Sequence, residues 1–242
     1  MKRAFVLASL LMTAAALAAR AGESRSAPVV VELFTSQGCS TCPPADAYLG
    51  ELASRPGVIA LAFHVDYWNY IGWTDPFASK AATDRQRSYA KQLGLRYVYT
   101  PQMVINGTME GVGSGREAIT QLIADAAADK TPHVGVSVTR GAGGQILVHI
   151  EAGQTAEPAT IWLVGFDREH TTQVPRGENE GRVLKDYQVV RSFKEIGSWS
   201  GESLDLALGE NAATGDGGVG VLVQLKGTGR ILGAGCVKTP TS

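Results

Sequence analysis

The sequence predicts an α/β unit followed by an all-β unit, and three observations carry that prediction. Helix-like and strand-like patterns alternate as far as about residue 130, whereas short alternating strands follow it. Ten glycines fall in residues 1–130 and nineteen in 131–242, so the texture changes near Thr131-Pro132. A chain of 242 residues can hold one large domain or two small ones. The expected division is 28–130 and 131–242, preceded by a leader.

That leader reads as a secretory signal over residues 1–21. Lys2 and Arg3 precede an apolar stretch from Ala4 to Ala19, and Ala19-Arg20-Ala21 places small residues at a cleavage site. Cleavage after Ala18 or Ala19, or an uncleaved anchor, are the alternatives. No other apolar run is long enough to span a bilayer, so stable membrane insertion is not expected. Removing Lys2, Arg3 and Arg20 would take the formal charge from −1 to −4. Such a balance gives no support for nucleic-acid binding or a polybasic membrane patch, and neither is expected. The expected location is the periplasm or the exterior, an oxidising space in which disulfides persist.

In the first unit, VVVELF (29–34) is a continuous apolar run, as a strand buried on both faces requires. CSTC follows, then PPADAYLGELASRPG, a helix stopped near Pro56-Gly57. VIALAFHV is a second buried strand, and a helix is expected from Ser79 to Leu93. Thr100-Pro101 opens a strand ending in Asn106-Gly107, the signature of a two-residue hairpin turn. Arg116 to Ala128, with Ala118, Ile119, Leu122 and Ile123 at helical spacing, closes the unit.

Cys39 and Cys42 stand three positions apart between the first strand and first helix. Such a pair can be a redox dithiol, part of a metal site or a structural disulfide. Zinc usually requires four ligands, and only two cysteines are paired here. Copper(I) accepts two soft thiolates, so a copper carrier stays open. A structural disulfide closing so short a loop constrains the unfolded chain little. Redox exchange is the provisional reading. Neither a resident metal nor a cofactor is expected.

The order strand–helix–strand–helix–strand–strand–helix, a CxxC at the first junction and a proline opening the hairpin coincide. With them the chain resembles the thioredoxin superfamily over residues 28–130. It is more closely similar, over the whole mature chain, to a bacterial family of secreted thioredoxin-like proteins of uncharacterised function. That family shares an ELFTSQGCSxCPPAD opening and a HVDYW segment. The resemblance implies a thioredoxin-like domain in which an exposed Cys39 is the nucleophile and Cys42 the resolving thiol. It implies a cis Pro101 facing the dithiol, holding the backbone of Thr100 open for a substrate strand and keeping metal out. An ordinary trans proline at a strand start is the alternative. Glu32 matches the position where thioredoxins often carry a buried acid that shuttles the resolving thiol's proton; the other reading is a surface glutamate on an edge strand.

A helix N-terminus favours a thiolate. Here Pro43 and Pro44 remove two first-turn donors and Asp46 adds like charge, so the Cys39 pKa is expected to be only moderately depressed. Five of the aromatic residues (Tyr67, Trp68, Tyr70, Trp73, Phe77) fall between Asp66 and Phe77. On the carboxyl edge of the sheet this loop is either a platform, with Tyr67 and Trp68 binding a peptide substrate, or interface core. His64 and Asp66 share a strand face and are expected as a hydrogen-bonded pair, with an acid–base or metal role as the alternative.

Beyond residue 131, Val134, Val136 and Val138, then Ile146, Val148 and Ile150, alternate. TIWLVGF, SLDLAL, VGVLVQL and ILGAGCV continue the pattern, which predicts a β-sandwich-like domain. RVLKDYQVVRSFKEI reads as strand on its β-branched pairs. Cys236 reads as a buried small hydrophobe, a third thiol or ligand being the alternative. The expected activity is thiol–disulfide exchange with protein or peptide thiols and disulfides and an unidentified redox partner. A non-catalytic module binding copper(I) or a protein partner is the rival.

Overall fold

The computed structural model describes residues 27–240, so the expected leader lies outside the described residues. Val29–Thr35 forms β1, buried along its whole length because both faces are covered. Val58–His64 forms β2, parallel to it from Val29–Val58 to Thr35–His64. A parallel return requires a crossover, which α1 (Pro43–Leu52) supplies. Pro43 and Pro44 occupy its first turn, where a missing N–H costs little. The helix ends at Leu52, short of the expected stop, and residues 53–57 run as turns.

α2 (Lys80–Gln92) starts where Ser79 Oγ accepts from Ala82 N at 3.2 Å. β3 (Gln102–Ile105) runs antiparallel to β1, and β4 (Met109–Val112) antiparallel to β3. α3 (Arg116–Ala128) matches its expected bounds. The β3–β4 turn does not match. Ile105 pairs with Met109, leaving a three-residue loop, with Asn106 at φ 47° and Gly107 at φ 72°. A Cβ on Gly107 would lie 1.9 Å from the Gly229 carbonyl oxygen, so this loop is shaped by a distant one.

The remaining strands are β5 (Val136–Arg140), β6 (Ile146–Ile150), β7 (Ala159–Gln173), β8 (Val183–Trp199), β9 (Leu204–Leu208), β10 (Gly218–Leu225) and β11 (Ile231–Lys238). The ambiguous RVLKDYQVVRSFKEI stretch lies in β8 apart from its first residue. One mixed sheet has the order β11-β10-β7-β8-β2-β1-β3-β4, and a small sheet has the order β5-β6-β9. Strands from both sides of residue 130 thus share the large sheet, joined by one parallel pair, Ala62 with Val189.

Three apolar clusters follow from strand alternation. Val31, Leu33 and Met103 meet α1 and α3 through Leu49 and Ile119. On the other face Val30, Phe34 and Phe63 meet Tyr89 of α2 together with Val164, Leu222 and Ile231. A third cluster lies between the small sheet (Ile146, Val148, Ile150) and Ile161, Leu163 and Val221 of the large one. The architecture is α/β: one large mixed sheet, one small sheet and few helices.

Candidate functional site

Both cysteines sit at the junction of β1 and α1. They form a disulfide with Cα atoms 5.5 Å apart, Cys42 being the N-cap of α1. The expected exposure of Cys39 is corrected here. Its relative accessibility is 2% and that of Cys42 is zero, although Ser40 and Thr41 between them are exposed. Two distant segments form the cover. Trp68 and Ile71 of the aromatic loop press on Gly38, whose added Cβ would meet Trp68 Cβ at 3.0 Å. From the tip of the β7–β8 hairpin, Asn179 Nδ2 donates to the carbonyls of Gln37 (2.9 Å) and Cys39 (3.0 Å). Ser40 N donates to Glu178 Oε2 at 3.3 Å.

The Thr100–Pro101 bond is cis. Pro101 lies one residue beyond the Phe34–Gln102 pair, on the sheet edge from which the CxxC departs. Gly113 N donates to its carbonyl at 2.9 Å. Thr100 Oγ1 accepts from Trp68 Nε1 at 2.8 Å, which ties this segment to the aromatic loop and through it to Gly38. Tyr67 donates its hydroxyl to Gln86 Oε1 at 3.1 Å, and both Tyr67 and Trp68 pack on the α2-side cluster. These two rings are half-buried structure, while Tyr70 is 82% exposed.

Glu32 is neither beneath the dithiol nor on a surface. β1 is a central strand, and its alternation points Glu32 to the α2 side, opposite α1. There its carboxylate accepts from Arg85 Nε at 2.7 Å and from the Tyr89 hydroxyl. Arg85 also reaches Gln224 and stacks 4.3 Å from the Phe193 ring centre. A cavity of about 490 Å³ lies above this network, lined by α2 and by Trp162 and Phe193. It is remote from the cysteines, and its buried charges already satisfy one another.

The acid near the cysteine pair is Asp46. Four residues after Cys42 on α1, it shares that residue's helix face. Burial, reinforced by the neighbouring Asp186 carboxylate, pushes its pKa up to about 8. Thr35 lies beside it, yet neither Asp46 Oδ1 nor Thr35 Oγ1 completes a hydrogen bond among the described residues. His64 Nδ1 bonds Asp75 Oδ2 at 2.7 Å, both groups being buried. Burial opposes the imidazolium, but the Asp75 carboxylate outweighs it and raises His64 to about 9. Asp75 is held below its ordinary range: burial works against its charge, and His64 overrides it. Asp75 Oδ2 also accepts from Gln37 N at 2.8 Å, and Gln37 Nε2 donates to Asp186 Oδ2 at 2.7 Å. A continuous polar network thus runs behind the CxxC from β2, the aromatic loop and β8.

The expected His64–Asp66 pair does not form. Asp66 instead accepts from Thr83 Oγ1 on α2, because the chain leaves β2 after His64 and turns Asp66 towards that helix. Cys236 is packed against the α2-side cluster, and burial pushes its thiol up to about 11. Among the described residues no group of three or more His, Cys, Asp or Glu is arranged to hold a metal ion. No described helix is long and apolar enough to cross a membrane.

Sequence reasoning located Cys39, Cys42, Thr100, Pro101 and Trp68, which the fold brings to one edge. It missed Gln37, Asp75, Asn179 and Asp186, and assigned Asp46 only a repulsive role. The i, i+4 spacing of Cys42 and Asp46 was a usable signal; the others meet over long separations.

No curated protein matches the chain. A crystal structure of a protein from Agrobacterium tumefaciens is similar, with 34% identity and a TM-score of 0.78 over 91% of this chain and 98% of that one. Residues 30–224 match a family described as a protein of unknown function, DUF1223, and the chain belongs to that family.

Proposed function

We propose that the protein is a thioredoxin-like thiol–disulfide oxidoreductase acting through Cys39 and Cys42 on protein or peptide substrates, in the periplasm or outside the cell. The observation that carries this reading is the Cys39–Cys42 disulfide at the β1–α1 junction, with Pro101 at the adjoining start of β3. In this reading residues 28–130 are a thioredoxin-like module. Its support is the order β2-β1-β3-β4, β1 and β2 being parallel, with α1 and α3 on one face and α2 on the other. Residues 131–242 are a sandwich-like module sharing that sheet.

The chemistry is two displacements at sulfur. The Cys39 thiolate attacks one sulfur of a substrate disulfide, forms a mixed disulfide and expels the other sulfur as a thiolate. Cys42 then attacks Cys39 Sγ, releasing the second substrate thiolate and closing the protein disulfide. The substrate gains two electrons and the protein loses two. Cys42 must lose a proton to attack. Asp46, one turn behind it with a pKa of about 8, is matched to a thiol's ordinary value near 8.5 and takes that proton. The His64–Asp75 pair and Asp186 set the field in which it does so. Run backwards, the same steps oxidise a substrate dithiol.

The test uses Cys42→Ser expressed in an oxidising compartment. Non-reducing gels should show dithiothreitol-sensitive adducts on Cys39 that are absent from the double Cys→Ser variant. No adducts, together with stoichiometric tight copper(I) on the wild type, would replace this reading with that of a carrier.

A further inference from the structure

The β7–β8 hairpin reaches across the molecule to the cysteine pair, and nothing in the exchange chemistry requires it there. Its tip is a small closed unit. Val174 N bonds Arg182 O and Gly181 N bonds Val174 O, both at 2.9 Å, while Arg182 N bonds Asn179 O at 3.1 Å. Within residues 175–182 the side chains are exposed or half-buried except Asn179, which is 1% accessible. That one buried side chain spans the carbonyls of Gln37 and Cys39, and its own oxygen accepts from Arg182 Nη1 at 2.7 Å. Gly177, at φ 86°, abuts the Ile71 carbonyl and Trp73, so the tip closes the seam between the CxxC and the aromatic loop.

The two covers differ in how they are held. Buried or half-buried bonds pin the aromatic loop: His64 to Asp75, Gln37 N to Asp75, Trp73 Nε1 to Gln37 Oε1 and Trp68 Nε1 to Thr100. The tip depends on a single side chain: the two buried Asn179 bonds hold it over Cys39, with only the exposed Ser40–Glu178 contact beside them. In-line attack needs an open path to sulfur, and Cys39 at 2% accessibility offers none while the tip is down. We propose that the tip of the β7–β8 hairpin is a lid latched over Cys39, with Asn179 the positioning residue that latches it, and that a reacting thiol or disulfide reaches the sulfur only after the tip lifts.

This rests on the exchange reading for its biological purpose, but the latch itself is tested without any protein substrate. A dithiothreitol thiolate attacks Cys39 Sγ and expels Cys42 as thiolate. The second dithiothreitol sulfur then displaces Cys39, leaving the protein dithiol and cyclic oxidised dithiothreitol. Each neutral hydrogen bond is worth roughly two- to tenfold in an equilibrium, so losing both Asn179 bonds should speed reduction roughly four- to a hundredfold.

The oxidised full chain is compared as wild type, Asn179→Ala, Arg182→Ala and Val148→Ala, following free thiols against time and the melting temperature of each. Asn179→Ala should be faster by about fourfold or more. Arg182→Ala, which frees the Asn179 carboxamide to rotate, should be faster by about threefold. Val148→Ala, in the small sheet, should lower the melting temperature and leave the rate unchanged. An Asn179→Ala rate within about twofold of wild type, or equal acceleration in Val148→Ala, overturns the latch. If Asn179→Ala does not fold, Arg182→Ala decides by the same twofold margin. Failure of Cys42→Ser to trap partners would remove the exchange reading and leave the latch result standing.

Discussion

Asp46 is where the chemistry proposed at Cys42 meets the stability of the fold. A free aspartyl group titrates near 3.8, whereas burial holds this one protonated up to about 8. Between those values the folded chain binds more protons than the unfolded chain, so stability falls as pH rises. His64 acts in the same sense. Lifted from 6.5 to about 9, its contribution is complete below pH 6.5 and disappears as pH passes 9. Asp46→Asn removes the first window and keeps the shape. The variant should therefore gain on wild type between about pH 5 and about pH 8, by on the order of 1–3 kcal/mol. Urea unfolding at both pH values measures this; an equal gap at the two would mean that folding does not shift this carboxyl. Glutamate 32 shows why the sequence misplaced that role. An acid on an apolar strand signals a buried partner, but only the strand's face determines which partner, and here it is Arg85.

At the scale of elements, local chemistry decided what was legible. β1, β2, α2 and α3 are specified by unbroken apolar runs, the Ser79 cap and 3.6-residue spacing, all contained in short windows. The positions of Cys39, Cys42 and Pro101 at strand ends were legible for the same reason, whereas their roles and the cis bond at Pro101 were implied only by the thioredoxin resemblance. The β3–β4 loop was not, since Asn-Gly suggests a two-residue turn until Gly229 intrudes. That contact yields a comparison. Gly107 and Gly57 have nearly equal positive φ, 72° and 76°, but a Cβ at Gly57 would meet nothing within 4 Å. Gly57→Ala should cost only the left-handed backbone, about 1 kcal/mol. Gly107→Ala should cost more than about 3 kcal/mol, because Gly229 backbone must move as well. Equal losses in thermal or denaturant unfolding would show that the two loops do not constrain each other. Length was the other failure. The polar stretch after TIWLVGF hid the fact that β7 and β8 run on as a ribbon to deliver Asn179, because an exposed ribbon carries little apolar periodicity.

For the whole molecule, the decisive feature is that the large sheet crosses the expected boundary at residue 130. Ala62 and Val189 make the joining pair, and no local pattern announces a pairing over such a separation. Its consequence lies in the α2-side cluster. There Val30, Phe34, Leu61 and Phe63 are buried by Val164, Phe166, Leu222, Ile231 and Ala234, all from the second half. Arg85 and Tyr89 likewise lose Gln224 if that half is removed. A fragment of residues 27–130 would expose β2 as an edge and leave one face of three central strands only partly covered by α2. Several large apolar side chains would then face water, each costing about 1.5–3 kcal/mol, against a total stability of about 5–15 kcal/mol for a domain. The fragment should therefore show no cooperative thermal transition and should bind a hydrophobic dye, whereas the full chain should unfold cooperatively and bind no dye. A sharp two-state transition in the fragment would mean that α2 and the β1–β4 strands cover themselves. The second half would then be an attached cover for Cys39 and not a share of the core.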